Sequence, residues 1–586
     1  MPIRKPAVDV VTIGFGWTGA IMAQELTDAG LHVLALERGG WRDTYPDFAY
    51  PRIADELKYA VRKELAVAPV RDTITFRNKM AQTALPMRQL GSFLPGEHVG
   101  GAGVHWNGQT WRGLPTDFVC RSHHLARYGK AAFSADMTVQ DHGVTYAELE
   151  PHYDRFEYLC GISGQAGNLN GAILPGGNPF EGPRARPYPT PPLKTCHAGY
   201  VFGKAATELG YHPFPQPAAN LSQAYTNPLG VQQAPCTYCG FCERFGCYVY
   251  AKSSPQTTLL PVLMRKPNFE LRTGATVLRI NTTPDGKRAT GVTYIDADGR
   301  EIEQPAEMVL LTAYVLQNVK LLLVSGIGKP YDPIANTGVV GRNYAYQIMG
   351  AATAFFDDKI FNPFMGAGAL GTLIDDFNGD NFDHAGLGFI GGGYMGVVLT
   401  GGRPILQTQV PEHTPNWGSA WKKAVKDNYL TSFNLMTHGS VMSYRDAYLD
   451  LDPTYKDPHG LPLLRMTFDF HDNEHRMSHY ITERLGEIAR AMGAKSVTVT
   501  HRSGSYSIVP YQTTHNTGGA VMGADPHTSV VNPYLQSWNV PNLFVLGASA
   551  FPQQLGYNPT GTVAALAYRC AEAIRARYLR APGPLG

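Results

Sequence analysis

The stretch Val8 to Arg38, VDVVTIGFGWTGAIMAQELTDAGLHVLALER, constrains this chain more than any other, because it spells a complete βαβ unit around a phosphate-binding turn. Asp9 to Ile13 is a β-branched run that predicts a strand, and Gly14, Gly16 and Gly19 follow it in G-x-G-x-x-G spacing. Ala20 to Ala29 carries Ile21, Met22 and Leu26 at helical spacing, and Leu31 to Leu36 predicts a second strand ending at Glu37. Each piece serves dinucleotide binding. Gly14 makes the tight turn, Gly16 lets the backbone approach a pyrophosphate, and Gly19 lets the helix lie close on the strand. The helix N-terminus faces the phosphates, and Glu37 is placed to accept hydrogen bonds from a ribose diol.

With 586 residues the chain exceeds one ordinary core, so two domains are expected. A net charge of +2 leaves no electrostatic footprint for nucleic acid. Glycine (63) and proline (43) are frequent, but 11% aromatic residues argue for long loops packed on a scaffold rather than disorder. The first strand follows MPIRKPA directly, so no secretory or twin-arginine signal is expected. Ala385 to Gly402 is glycine-rich, and Met308 to Gly326 is interrupted by Gln317, Asn318 and Lys320. The chain is therefore expected to be soluble, and to reach a membrane or another compartment only through a partner.

Further along, Val99 to Arg112, VGGAGVHWNGQTWR, combines paired glycines with His105 and Trp106, which suits the edge of a flat ring system or a packed domain seam. A helix is predicted over Val144 to Gly164, and a Pro- and Gly-rich excursion from about Gly164 to Gln233. Phe269 to Ile280 and Gly291 to Asp296 alternate like strands, and Met308 to Gly326 reads as a buried strand and then a helix. Gly39 to Arg88 reads as surface loop and helix, and strand-like runs from Tyr346 to Ser503 enclose a helix at Asp472 to Met492.

Two more stretches carry chemistry. Pro235 to Lys252, PCTYCGFCERFGCYVYAK, holds four of the 8 cysteines, at Cys236, Cys239, Cys242 and Cys247. The compact C-x2-C-x2-C-x4-C run best matches a loop presenting thiolates to one iron–sulfur cluster. A structural zinc, which more usually takes two separated pairs, comes second, and disulfides third because the spacing crowds them. Cys120, Cys160, Cys196 and Cys570 are isolated and read as ordinary buried thiols. Near the C-terminus, His515 lies in THNTGG, while Leu543 to Leu546 predicts a strand and Asn558-Pro559-Thr560 the start of a helix.

Along nearly its whole length the chain resembles the glucose–methanol–choline (GMC) family of FAD oxidoreductases. The resemblance is carried by GFGWTG with Glu37, VGGAGVHWNG, VGRN at Val340 to Asn343, THNTGGAVMGADP and GYNPTGTVAALAYR. It implies an α/β fold, a Rossmann-like FAD-binding domain with a discontinuous substrate domain on an antiparallel sheet. FAD-binding parts are expected at 1–163, 234–345 and 504–586, a substrate-side excursion at 164–233 and the substrate domain at 346–503. The implied FAD contacts are Gly14, Gly16, Gly19, Glu37, Arg38, Gly100, Gly101, His105, Trp106, Asn107, Val277, Gly547, Ala548, Pro559 and Thr560. His105 also matches the place where many members carry FAD covalently. Trp106, Tyr314 and Gly547 depart from the common pattern of Asn, Gly and Asp.

His515 matches the family's active-site base and Asn558 its partner. The base would take a hydroxyl proton near its unperturbed pKa of about 6.5 while hydride passes to the flavin. A non-catalytic electron relay would explain the glycines and cysteines but not this pair. Within the family, the cysteine run and HWNGQTWR look like the flavoprotein subunits of bacterial membrane-bound sugar and sugar-acid dehydrogenases. That likeness implies an iron–sulfur cluster on Cys236, Cys239, Cys242 and Cys247, 3Fe-4S first and 4Fe-4S second. It also implies a signal-bearing small subunit, a multihaem cytochrome c subunit and a place on the periplasmic face of the inner membrane. D-gluconate, oxidised at C2, is the first expected substrate, with 2-ketogluconate, sorbitol, fructose and glucose as alternatives. For a substrate carboxylate, Lys359, Arg403, Arg445 and Arg465 are the candidate cations.

Overall fold

The computed structural model describes residues 2–89, 91, 93–400, 405 and 408–586. The strand Val8–Ile13 lies inside an eight-stranded sheet. Val33–Leu36 runs parallel to it on one side, with Val10 opposite Val33, and Glu301–Leu311 on the other, with Met308 opposite Val10. Phe269–Arg272 and Leu543–Val545 extend the parallel part outward. Val10, Val11, Leu34, Val309, Leu310 and Phe544 are fully buried. Strands covered on both faces need apolar residues at every position, which is why these segments read as unbroken apolar runs rather than alternating ones.

Glu301–Leu311 serves two pairings. Its second half belongs to the parallel part, and its first half runs antiparallel to Ala289–Ile295, which in turn pairs with Thr276–Thr282. The expected single strand from Phe269 to Ile280 is therefore two strands, Phe269–Arg272 and Thr276–Thr282, at opposite ends of the sheet order. Gly274, at φ +67°, sits in the break, a conformation that only glycine adopts without strain. The predicted helices form as Trp17–Asp28, Tyr146–Cys160, Val315–Val324, Asp472–Ala491 and Thr560–Ala573. Tyr146–Cys160 opens with a capping box in which Thr145 and Glu148 satisfy each other's backbone amides.

A second sheet is antiparallel, in the order Ser496–Thr500, Ile348–Phe355, Ser432–Gly439, Gly393–Val398, Gly371–Ile374 and Phe214–Pro215. Met477, Ile481, Leu485 and Ile488, spaced three and four apart on Asp472–Ala491, are buried as one apolar stripe of the helix that packs on this sheet. Part of the stretch expected as surface loop and helix is strand instead. Thr75–Arg77 and Leu85–Pro86 join Tyr448–Lys456 and Pro462–Thr467 in a four-stranded sheet, because Thr75 and Ile74 are buried there. No helix among the described residues is long and apolar enough to cross a membrane.

A very short pairing brings the C-terminal loop to the second sheet. Ala345–Tyr346 pairs with Asn516–Thr517, Tyr346 opposite Asn516, and the backbone N–H of Gln347 donates to the carbonyl of His515 at 3.2 Å. The strand Ile348–Phe355 begins immediately afterwards.

The helix–strand contact at the first turn is testable. A Cβ on Gly19 would meet the carbonyl oxygen of Gly14 at 2.5 Å, whereas one on Gly30 meets nothing. Gly19→Val is expected to lower unfolding stability by about 1–3 kcal/mol, and Gly30→Ala, strained only by its φ of +88°, by about 1 kcal/mol or less. Denaturant midpoints of the two variants check the order.

Candidate active site

Two cavities meet over the first turn. The larger, ≈ 630 Å³, is lined by Gly14, Gly16, Glu37, Arg38, Gly101, Val277, Gly547, Ala548, Pro559 and Thr560, all predicted nucleotide contacts. The smaller, ≈ 370 Å³, is lined by His105, Trp106, Asn107, His515 and Asn558. Trp17, Ala102, Gly103, Thr514, Pro559 and Thr560 line both. Gly19 and Gly100 line neither. Gly19 lies beneath the turn, and Gly100, at φ +89°, sits against the Gln256 side chain.

The larger cavity fits a dinucleotide. The helix Trp17–Asp28 starts at Gly16 with no side-chain cap and no acidic residue in its first turn, so its leading amides are left for an anion. A Cβ on Gly16 would approach only the Gly100 and Gly101 backbone, at 3.9 and 4.0 Å, so the glycine keeps a slot open there. Glu37 accepts hydrogen bonds from the amides of Phe15 at 2.9 Å and Gly39 at 2.8 Å, leaving one lone pair per oxygen for a ribose. Burial raises its pKa to about 7 against those two hydrogen bonds. Arg38 is held by Asp72 at 3.2 Å and Glu97 at 3.5 Å.

In the smaller cavity the polar atoms of the central pair are nearly all committed. Asn558 Oδ1 accepts from Trp111 Nε1 at 3.1 Å and from the Tyr394 hydroxyl at 2.6 Å, so its Nδ2 is turned toward His515 Nε2, 3.2 Å away. His515 Nδ1 lies 2.5 Å from Gln347 Oε1, an acceptor, so the assigned tautomer carries its proton on Nδ1 and presents a lone pair at Nε2. Gln347 is itself fixed by donating to the carbonyl of Gly556 at 3.1 Å. The Tyr394 hydroxyl also meets His438 Nδ1 at 2.7 Å. The expected pKa near 6.5 for His515 requires correction. Burial, and then the neighbouring His438, lower it to about 3, and burial lowers His438 to about 4.

His105 is buried, with Nε2 3.1 Å from the Leu94 carbonyl and Nδ1 3.4 Å from His98 Nε2. Both ring nitrogens are thereby engaged on the smaller cavity's wall rather than the larger one's. Trp106 donates to the Ser253 carbonyl at 2.8 Å and meets Trp17 edge-on at 5.8 Å.

The cysteine loop reaches this same wall. Glu243 and Arg244, between Cys242 and Cys247, line the smaller cavity, and the Arg244 amide donates to the His105 carbonyl at 2.8 Å. All 8 cysteines are free thiols, which excludes the disulfide reading. Among the described residues, no three of the loop thiols approach within 4.8 Å of one another. Thiolates sharing one tetrahedral zinc stand roughly 4 Å apart, given Zn–S bonds of about 2.3 Å, whereas a cluster spreads its thiolates over separate irons. Burial pushes the Cys242 thiol up to about 12, opposed by Lys252, and raises Cys236 and Cys239 as well. Ligation requires the thiolate forms, so a metal centre must supply that ionisation. Among the described residues, the one triad that does bring three ligand atoms within 4.8 Å is His479, Glu483 and His501, outside both cavities.

The predicted carboxylate-binding cations lie elsewhere. Lys359 pairs with Asp358 at 2.9 Å, Arg465 with Asp450 at 2.5 Å, and Arg445 donates to the Pro333 carbonyl at 2.6 Å; none lines either cavity. Arg403 lies outside the described residues. Among the described residues, the cation lining the smaller cavity is Arg244, whose guanidinium lies 4.3 Å from the Tyr511 ring, whose Nη1 donates to the Ala60 carbonyl at 3.2 Å, and whose Nε, 3.6 Å from Glu243, makes no hydrogen bond. Its stretch is marked by cysteine spacing, and nothing local singles out the arginine within it. Gln109 and Trp111 stand in the quoted HWNGQTWR phrase, whereas nothing local marks Gln347, Tyr394 or His438.

GMC oxidoreductase family models match residues 199–349 and 443–567. The gluconate 2-dehydrogenase flavoprotein of Pantoea cypripedii is 52% identical over 99% of this chain and 95% of its own length. A 2-methyl-1,2-propanediol dehydrogenase of Mycolicibacterium austroafricanum is 28% identical over 99% of this chain and 97% of its own. Among solved structures, pyridoxine 4-oxidase from Mesorbium loti superposes with a TM-score of 0.58 over 97% of this chain and 99% of that one, at 17% identity, which speaks to the fold alone.

The histidine geometry sets a titration. Because its charged form is disfavoured, His515 should remain neutral as pH falls through 6.5, with the proton on Nδ1. Imidazole nitrogen shifts in labelled protein should show no His515 midpoint between about pH 7.5 and 5, and Gln347→Leu should mix the two tautomers. A midpoint near 6.5 would contradict the burial argument.

Proposed function

Since the chain belongs to the GMC oxidoreductase family, whose members are FAD-dependent enzymes acting on alcohols, we propose that it is a dehydrogenase oxidising a secondary alcohol of a sugar acid, D-gluconate at C2. By the same reading its electrons leave through an iron–sulfur cluster to a cytochrome c subunit. The observation that carries the reading is the His515 Nε2 to Asn558 Nδ2 pairing at 3.2 Å, on the wall next to the residues shared by the two cavities. The substrate class rests on Arg244 in the same cavity and on the 52% identical relative that bears the gluconate name.

Bound FAD supplies the hydride acceptor that no side chain can provide. The protein supplies the rest. His515 Nε2 offers its lone pair to the carbinol proton, and Asn558 Nδ2 donates to the same oxygen, aligning it. Trp111 and Tyr394 keep the Asn558 amide in that orientation, and Gln347 keeps the proton off Nε2. Arg244 meets the substrate carboxylate in competition with Glu243. Cys236, Cys239, Cys242 and Cys247 would hold the cluster, whose chemistry would be one-electron transfer. The chain has no C-x-x-C-H haem site, so the acceptor is placed on a cytochrome c subunit. A signal-bearing small subunit and location on the periplasmic face of the inner membrane complete the proposal, in keeping with the lack of a spanning helix among the described residues.

His515→Ala should lower kcat/KM for D-gluconate with an artificial acceptor by about 10²–10⁴ while FAD stays bound. Retention of full activity would remove the base assignment. Because unprotonated His515 is the active form and its pKa is low, kcat/KM should hold level as pH drops through 6.5 instead of halving there. Arg244→Met should raise KM for D-gluconate by about tenfold or more and leave neutral sugars unaffected; equal losses on both would separate Arg244 from carboxylate recognition.

A further inference from the structure

Three cationic side chains are buried among the described residues: Arg112, Arg184 and Lys252. Arg112 meets Glu157 at 2.8 Å and Glu150 at 2.8 Å, and Arg184 also pairs with Glu157. Lys252, 1% exposed, makes no ion pair with a described carboxylate; burial works against its charge, and the cysteines of the loop, once ionised, would favour it. Its Nζ donates to the carbonyls of Trp106 at 2.6 Å, Cys242 at 2.8 Å and Phe245 at 2.8 Å. Three acceptors need three N–H donors, so the group is an ammonium, not a neutral amine. A buried ammonium without a counter-ion is costly, and the groups that can balance it are thiolates.

We infer that Lys252 is the built-in counter-charge of the cluster on the cysteine loop, a positioning residue that raises the cluster's reduction potential and ties it to the alcohol-side cavity. The inference rests on the iron–sulfur reading proposed above. A fixed positive charge beside the cluster stabilises its reduced, more negative state, so the electron is accepted more readily. Asn220 acts in the same sense, its Nδ2 donating to Cys242 Sγ at 3.6 Å. The hydrogen bond to Trp106 adds a spatial consequence. Trp106 lines the smaller cavity and meets Trp17, which lines both cavities, so the chain Trp17, Trp106, Lys252, Cys242 joins the cofactor cavity to the cysteine loop through direct contacts. Alcohol oxidation releases two electrons as hydride to the flavin and one proton to His515, and both electrons would leave through the cluster one at a time to two one-electron equivalents of the cytochrome-type acceptor, so no further oxidant is required.

The test compares wild-type enzyme with Lys252→Met and Lys252→Arg by FAD, iron and labile-sulfide content and by the cluster's EPR signal followed against potential. Lys252→Met, neutral and similar in length, should keep FAD and shift the midpoint potential downward, with Lys252→Arg closer to wild type. Lys252→Met protein that keeps FAD but loses iron, while Lys252→Arg keeps both, also supports the inference, since the charge is then needed to hold the cluster at all. An unchanged midpoint in iron-containing Lys252→Met protein overturns it. So does equal loss of FAD and fold in both variants, which would make Lys252 merely structural. Wild-type protein carrying zinc, or no iron and sulfide, instead overturns the iron–sulfur reading itself and the inference with it.

Discussion

Asn558 can turn its amide nitrogen toward His515 only because Trp111 and Tyr394 both occupy its carbonyl oxygen. Were that oxygen unpartnered, the amide could rotate, and the lone pair of His515 Nε2 would face an acceptor instead of a donor. The other nitrogen of the ring is held in the same way by Gln347. The arrangement depends in turn on the fold at large. Asn558 sits just ahead of the helix Thr560–Ala573, Tyr394 and His438 come from the antiparallel sheet, Trp111 follows the double-glycine loop, and Gln347 arrives through the Tyr346–Asn516 pairing. Five separate stretches of chain must register before His515 Nε2 faces the Asn558 amide nitrogen, so this pairing cannot form in a partly assembled chain.

The cysteine loop is joined to the same place. Its Arg244 amide bonds to the His105 carbonyl, its Glu243 and Arg244 line the alcohol-side cavity, and Lys252 bonds to Trp106 and Cys242 together. In the proposed function, the cation for the substrate and the cysteines of the electron exit would thus share a short piece of chain. Burial acts on both sides of this junction with opposite consequences. At His515 it keeps an imidazole neutral, which the proposed proton-accepting role would require, and at the loop it opposes ionisation of thiols that a metal centre would ligate as thiolates.

The nucleotide half of the molecule was legible from sequence because its signals are local. Three glycines at fixed spacing, a helix start and strands buried on both faces leave their marks within about thirty residues of one another. The break at Gly274 escaped because strand alternation continues on either side of it, and only sheet order separates the halves. His515 and Asn558 were legible through resemblance, but their supports were not. Trp111 and Asn558 are 447 positions apart, and Tyr394 and His438 look like ordinary strand residues until the sheet folds. Lys359, Arg445 and Arg465 lie within the stretch expected as the substrate domain, yet each is satisfied by a neighbouring carboxylate or carbonyl. Among the described residues, the cation lining the smaller cavity comes from the cysteine loop, whose spacing marks metal chemistry and gives an arginine within it no separate signal.

In the proposed function, electrons taken from an alcohol beside His515 would pass to a cluster on the cysteine loop. An anaerobic single turnover tests this most directly, with D-gluconate mixed with purified holoenzyme in the absence of any acceptor while flavin absorbance and the cluster's EPR signal are followed together. The account predicts bleaching of the flavin followed by a matching change in the cluster signal. Bleaching with an unchanged cluster signal, or no bleaching at all, would contradict it.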